Sequence, residues 1–201
     1  MELRQNESRA TNWITGNRYL SQSEMENNAL LVYSIFFQLG YSFNSIIGML
    51  GNMQQESTIN PALWQNLTVG TGGYGLVQWT PSTKYTNWAN KNGYALDDGY
   101  AQCLWIDTMM IPSGEWIKTS EYPITWEEFK TGSYTIDYTT MAFLKNFERA
   151  GDEEIPNRLL YATNWYNYFS TAPDIPIPPI VPTPTQKKKK MPLYMMCRFR
   201  R

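Results

Sequence analysis

Glu56 closes the apolar part of the stretch GNMQQESTINPALWQN, residues 51–66, and is the side chain in this sequence best placed for proton chemistry. Ile46, Met49, Leu50 and Met53 recur at three- and four-residue steps, along one side of a helix, and Glu56 is next in that series. A carboxylate on an apolar stripe is costly unless it stays protonated, and a protonated carboxyl is what a glycosidase offers the departing oxygen. The stripe fits a second reading equally: a glutamate in the last turn that faces solvent or caps a neighbour. Glu148 follows Met141 and Leu144 at helical spacing, so it is either a second carboxylate of a site or one half of a buried pair with Arg149 or another base. Asn52, one turn before Glu56, either hydrogen-bonds to it or caps a neighbouring element. Gln78 carries a donor and an acceptor, suited to an N-acetyl group or an attacking water. Tyr74 and Trp79 have faces that stack on pyranose rings, with glycines 72, 73 and 75 allowing a close approach of the backbone. For Tyr74 the site is the favoured reading; for Trp79, alternating with Gln78, it is core packing.

The 201 residues contain no histidine. Zinc peptidases and amidases need imidazole ligands, and serine and cysteine triads need imidazole as the base, so a hydrolase here is expected to work with carboxylates, which points to glycosidic bonds. Cys103 and Cys197 are too far apart for metal spacing and are read as free thiols; no metal and no cofactor are expected. The N-terminus has no apolar core of a signal peptide, and the longest apolar run, residues 29–37, is too short to span a bilayer, so the protein is expected to be made soluble. The net charge of −1 hides a division: the tail 187–201 holds seven basic residues and no acid, whereas residues 1–186 hold 10 basic and 18 acidic. Nucleic acid is not an expected partner of so acidic a globule.

The elements that must position these residues are mainly helical. A capping box at Ser23 and Glu26 opens a helix that ends at Gly40, and a second spans about 43–57, with Gly48 and Gly51 one turn apart where another helix can come close. The glycine cluster of residues 70–75 leads into a β-prone run, 76–80, read as a hairpin or tight loop. Thr80 as N-cap with Pro81 at the first position predicts a helix over 81–92. Further helices are expected near 97–110, at 125–131 behind a Thr125–Glu128 capping box, at 137–150 and at 155–170. The expected organisation is a flexible arm over 1–18, one domain over 19–172, a proline-rich linker over 173–186 and a basic tail over 187–201.

GMLGNMQQESTINPALWQN, then GYGLVQWTPS, TNWAN and the FER of 147–149 resemble, in order and spacing, the phage tail lysozyme family, which includes the lysozyme domain of the tail-knob protein of small Bacillus podoviruses. The likeness spans roughly 21–170. GLVQ at 75–78 is also similar to the GLMQ signature of goose-type lysozymes and lytic transglycosylases, where backbone and glutamine line the sugar cleft. The resemblance implies a mainly α (α+β), lysozyme-like fold with one small β-hairpin beside the cleft. It implies Glu56 as the catalytic glutamate, with Tyr74, Gln78, Asn52 and Glu148 as candidate substrate-binding residues. It further implies a phage protein that hydrolyses the β-1,4 bond between N-acetylmuramic acid and N-acetylglucosamine in host peptidoglycan, from the virion tail tip during entry or as a lysin at release. No second catalytic acid is secure, which leaves open a lytic transglycosylase giving anhydro ends, and a non-catalytic tail-tip protein that binds glycan or serves assembly. Other phage tail proteins are possible partners, and Lys187 to Arg201 either contacts anionic wall polymers or membrane or is a solvated end. In the related knob proteins the linker leads into a peptidase domain; no such domain is expected here.

Overall fold

The computed structural model describes residues 12–151 and 153–171. Residues 1–11, the linker expected over 173–186, the basic tail and Cys197 lie outside them. Seven α-helices and one short hairpin run in the order α1 (Gln22–Gln38), α2 (Phe43–Ser57), β1 (Trp64–Asn66), β2 (Thr71–Tyr74), α3 (Thr83–Asn92), α4 (Gly99–Met109), α5 (Trp126–Thr131), α6 (Ile136–Phe143) and α7 (Ile155–Thr171), among the described residues. α6 continues as a π-helical turn over Leu144–Glu148. The class is the expected one, mainly α with a small antiparallel β element.

α2 runs through the middle. Ile46, Ile47, Met49, Leu50 and Met53 are all fully buried, so the helix is covered on more than one side, and its two glycines explain how. A Cβ on Gly48 would stand 2.7 Å from Thr139 Oγ1 and Thr140 N of α6; one on Gly51 would stand 2.8 Å from Arg158 O and 2.9 Å from Ala162 N of α7. Both flanking backbones therefore come close only because these positions lack a side chain. Asn52 locks the α6 contact by donating from Nδ2 to Thr140 O at 3.0 Å.

Several boundaries fall where expected and others move for local reasons. Thr125 and Glu128 form the expected capping box, and Gly132 follows α5. For α1 the box is two residues earlier, Ser21 with Glu24, because Glu24 is also held by Arg18 at 2.6 Å; Glu26 instead accepts from Gln22 Nε2. The strands are 64–66 and 71–74 rather than the β-prone run 76–80, which turns and keeps a single bridge, Tyr74 to Trp79. α3 starts at Thr83, since the Thr80 hydroxyl donates to Gln78 O and closes the preceding turn instead of capping a helix. The helix expected over 137–150 loses α geometry at Leu144, and the wider π turn ends at Arg149, whose φ is 47°.

Residues 12–18, assigned on composition to a flexible arm, are tied to the domain. Asn28 accepts from Ile14 N and donates to Ile14 O, and Asn60 Nδ2 donates to both Gly16 O and Arg18 O at 2.7 Å. The Trp13 ring covers Gly99 at the start of α4. Cys103 is buried in α4 as a free thiol.

Candidate active site

A cleft of about 730 Å³ opens between the C-terminal end of α2, the hairpin with its following turn, and the segment from the π turn to α7. It is within the size range of small-molecule and oligosaccharide sites. Glu56 and Glu148 both line it, together with Gln78, Gln65 and Arg158.

Glu56 reaches the cleft because α2 ends immediately after it: Ser57 turns its hydroxyl to Met53 O and Leu76 O, and Thr58 is left-handed at φ 54°. Its surroundings differ from the apolar stripe that periodicity suggests. Arg158 Nη2 donates to Glu56 Oε1 at 2.6 Å, an ion pair in which the arginine side chain is 2% exposed and the glutamate 17%. The same guanidinium donates from Nη1 to Asn52 Oδ1 at 2.9 Å and from Nε to Glu153 O at 2.7 Å. Asn52 thus acts on Glu56 through Arg158. It is itself fully buried, so the structure does not bring it to the cleft surface.

Glu148 reaches the cleft from the π turn that follows α6. The π turn widens the helix by one residue at this point, and such turns recur where a side chain must be re-aimed. The alternative of a pair with Arg149 is not realised. Arg149 turns to Glu115, donating from Nη1 to its backbone oxygen at 2.6 Å and from Nη2 to Oε2 at 3.1 Å, and Lys84 holds the same carboxylate from α3. Glu148 Oε1 is sealed from solvent and has no hydrogen-bond partner. Burial first, then the charge of neighbouring Glu56, push the Glu148 carboxyl well above the ordinary glutamate range, against opposing contributions from Arg158 and Arg149.

Gln78 lines the cleft in a left-handed conformation, φ 47°, held by its own amide: Nε2 donates to Leu63 O and Gly75 O, both at 3.0 Å. Its donor is spent on shaping the loop, so the acceptor oxygen is the end left for a ligand. Gly73 keeps that loop tight, since a Cβ there would stand 2.9 Å from Gln78 O. Trp79 is 3% exposed and stacks on Tyr85 at 4.7 Å, the core role favoured for it, with part of the residue at the cleft wall. Tyr74 corrects the expectation made for it. It is 3% exposed, packed on Trp64 at 4.5 Å, and does not line the cleft, because β2 turns it inward beneath the loop.

Arg158 is the residue that sequence reasoning missed, and a signal for it exists. It falls with Ala162, Trp165 and Phe169 on the buried stripe of α7. A cation there needs a carboxylate, by the same reasoning that singled out Glu56. No comparable signal marks Glu115 or Lys84. No cluster of three or more His, Cys, Asp or Glu that could hold a metal occurs among the described residues.

The sequence model of the phage tail lysozyme family matches residues 27–169, which takes in every residue of this cleft. Over 152 residues the chain is 41% identical to morphogenesis protein 1 of Bacillus phage B103, covering 75% of this chain and 41% of that protein. The chain thus spans less than half the length of this relative. With Glu56, Glu148 and the Gln78 loop inside the matched region, the chain belongs to the phage tail lysozyme family.

Proposed function

We propose that the chain is a muramidase: it hydrolyses the β-1,4 bond between N-acetylmuramic acid and N-acetylglucosamine in peptidoglycan, with Glu56 giving a proton to the departing oxygen. The observation that carries this reading is that two carboxyls from separate elements, Glu56 of α2 and Glu148 of the π turn, open on one cleft large enough for several sugar units. Glu56, 17% exposed at the cleft, is the carboxyl assigned to the glycosidic oxygen, and Gln78 lines the same cleft with its amide oxygen free to accept. Family membership supports a lysozyme-type substrate, and the likeness to a phage morphogenesis protein supports action on the host wall by a virion component. On this reading the protein works from the tail tip during entry, or as a soluble lysin during release. Bacterial peptidoglycan is its partner, alongside neighbouring tail proteins, and the basic tail is a candidate contact to anionic wall polymers.

The test is clearing of purified peptidoglycan by the wild type and Glu56→Gln. General acid catalysis contributes about 10²–10⁴-fold, so the variant should lose at least two orders of magnitude in rate. Equal clearing by both proteins removes Glu56 from the mechanism, and no clearing by either leaves a glycan-binding or assembly protein. Mass spectrometry of the products then decides the reaction: reducing ends for hydrolysis, 1,6-anhydro ends for a lytic transglycosylase.

A further inference from the structure

The ion pair with Arg158 poses a problem for the reaction. A proton donor must carry a proton, yet Glu56 Oε1 is engaged at 2.6 Å by the Arg158 guanidinium, which can only donate. Glu148 poses the converse problem. It is a carboxyl with a sealed, unpartnered oxygen beside a cleft, and a buried polar atom without a partner calls for an explanation. The charged groups that act on it are engaged elsewhere or bear a like charge, and Glu154, which lines the same cleft, accepts from Asn157. Arg158 from α7 is committed to Glu56, Asn52 and Glu153 O; Arg149, at the end of the π turn, is committed to Glu115, which Lys84 of α3 also holds; Glu56 of α2 contributes a like charge. None of these cations forms an ion pair with Glu148, so an ionised Glu148 would add a second negative charge beside Glu56 with one oxygen sealed from water.

We propose that the proton used by Glu56 rests on Glu148 in the free protein and is handed to Glu56 when a glycan fills the cleft. This deepens the muramidase reading and rests on it. The driving force is desolvation: Glu56 is 17% exposed and a sugar laid over it strips water from it, whereas Oε1 of Glu148 is already sealed from solvent. The step balances. The O–H bond of Glu148 breaks and one forms on Glu56, directly or through a bridging water, with no change in the summed charge of the two carboxyls. Glu56 then gives that hydrogen to the glycosidic oxygen as the bond to the anomeric carbon breaks. The water that adds to this carbon releases one proton, which returns to Glu148 through the cleft, and both groups are as they began. Glu148 is on this account a positioning residue for the proton, acting through Glu56.

The test uses the full chain with Glu148→Gln and Glu148→Asp. Glutamine keeps the volume and a hydrogen-bond donor but cannot release a proton. We expect kcat on peptidoglycan to fall roughly tenfold or more, at the low end of acid–base effects, with KM within about twofold and the alkaline limb of the pH profile displaced to lower pH, because Glu56 must then draw its proton from bulk solvent. Glu148→Asp should recover part of kcat and of the limb. Independently of activity, infrared spectra near neutral pH should show a carboxylic-acid carbonyl band in the wild type that is absent from Glu148→Gln. A glutamine variant with wild-type kcat and pH profile, a change in KM alone, or a wild type without the band overturns the proposal. A wild type that shows the band but clears no peptidoglycan sinks the muramidase reading instead, and with it the use assigned to this proton.

Discussion

Arg158 shows how much one side chain can organise. Its guanidinium reaches Glu56, Asn52 and the Glu153 carbonyl at once while only 2% exposed. Breaking a buried pair from one side leaves the remaining charge unpaired, and Arg158→Ala should lower unfolding stability by about 3–5 kcal/mol. Arg158→Lys keeps the charge without the fork and should fall between the alanine variant and the wild type in a urea titration. A loss below about 1 kcal/mol for alanine would mean that the ion pair is replaceable. Glu148 makes a pH prediction of opposite character. Its folded pKa is raised, so above its unfolded value of ~4.3 the folded protein binds more protons than the unfolded chain and stability falls as pH rises, until the folded group also ionises. Glu148→Gln removes that titration. Unfolding followed from pH 5 to 8 should then show a shallower decline for the variant than for the wild type, whereas identical slopes would place Glu148 in solvent. Glu24 behaves in the ordinary sense: its hydrogen bond from Arg18, then one from the Ser21 backbone, bring it down to about 2, so its contribution is present above the unfolded value and is lost in strong acid.

At the scale of elements, the site depends on three helices meeting where glycine replaces a side chain. α2 carries Glu56, α7 carries Arg158, and the contact between them is made at Gly51, where a Cβ would press on Arg158 O and Ala162 N. These are backbone atoms and cannot rotate away. Gly51→Ala should therefore cost about 1–3 kcal/mol by overpacking. It should also reduce clearing activity, since α7 must shift at the residue that holds Glu56. Gly151→Ala serves as the control, with nothing within 4 Å of the added atom, and should stay within about 0.5 kcal/mol of wild type. Equal thermal melting of the two variants would show that α7 does not need the close approach. The π turn is the second element-level device. It ends on Glu148, which lines the cleft with one oxygen left without a partner.

For the molecule as a whole, the domain begins earlier than composition indicates. Asn28 and Asn60 are fully buried, and the polar groups of both are satisfied in part by the backbone of residues 14–18. Deleting residues 1–18 would leave two buried amides short of partners and uncover Gly99 beneath Trp13. At about 1–3 kcal/mol for an unsatisfied buried group, the loss should be roughly 2–4 kcal/mol and visible as a lower melting temperature. An unchanged melting temperature would show that the strap is dispensable.

Much of the helical frame was readable in advance, because it depends on local chemistry. Periodic apolar residues mark α2, a threonine and glutamate three apart open α5, and Gly93 and Gly132 close α3 and α5. Glu56 was legible for the same reason: a charge out of place on an apolar stripe is visible in one dimension. What periodicity could not say is what meets that charge. Arg158 lies 102 residues away, and only the antiparallel packing of α2 and α7 brings the two together. Tyr74 and Glu148 were likewise decided in three dimensions. The inward turn of β2 buries the tyrosine, and the π turn leaves the glutamate at the cleft with one oxygen sealed and no ion pair, since its adjacent arginine is drawn to Glu115. Local sequence determines which residues can form a helix and where it stops; the state of a carboxyl is set by solvent exclusion and by charges on other elements, which exist only once the chain has packed.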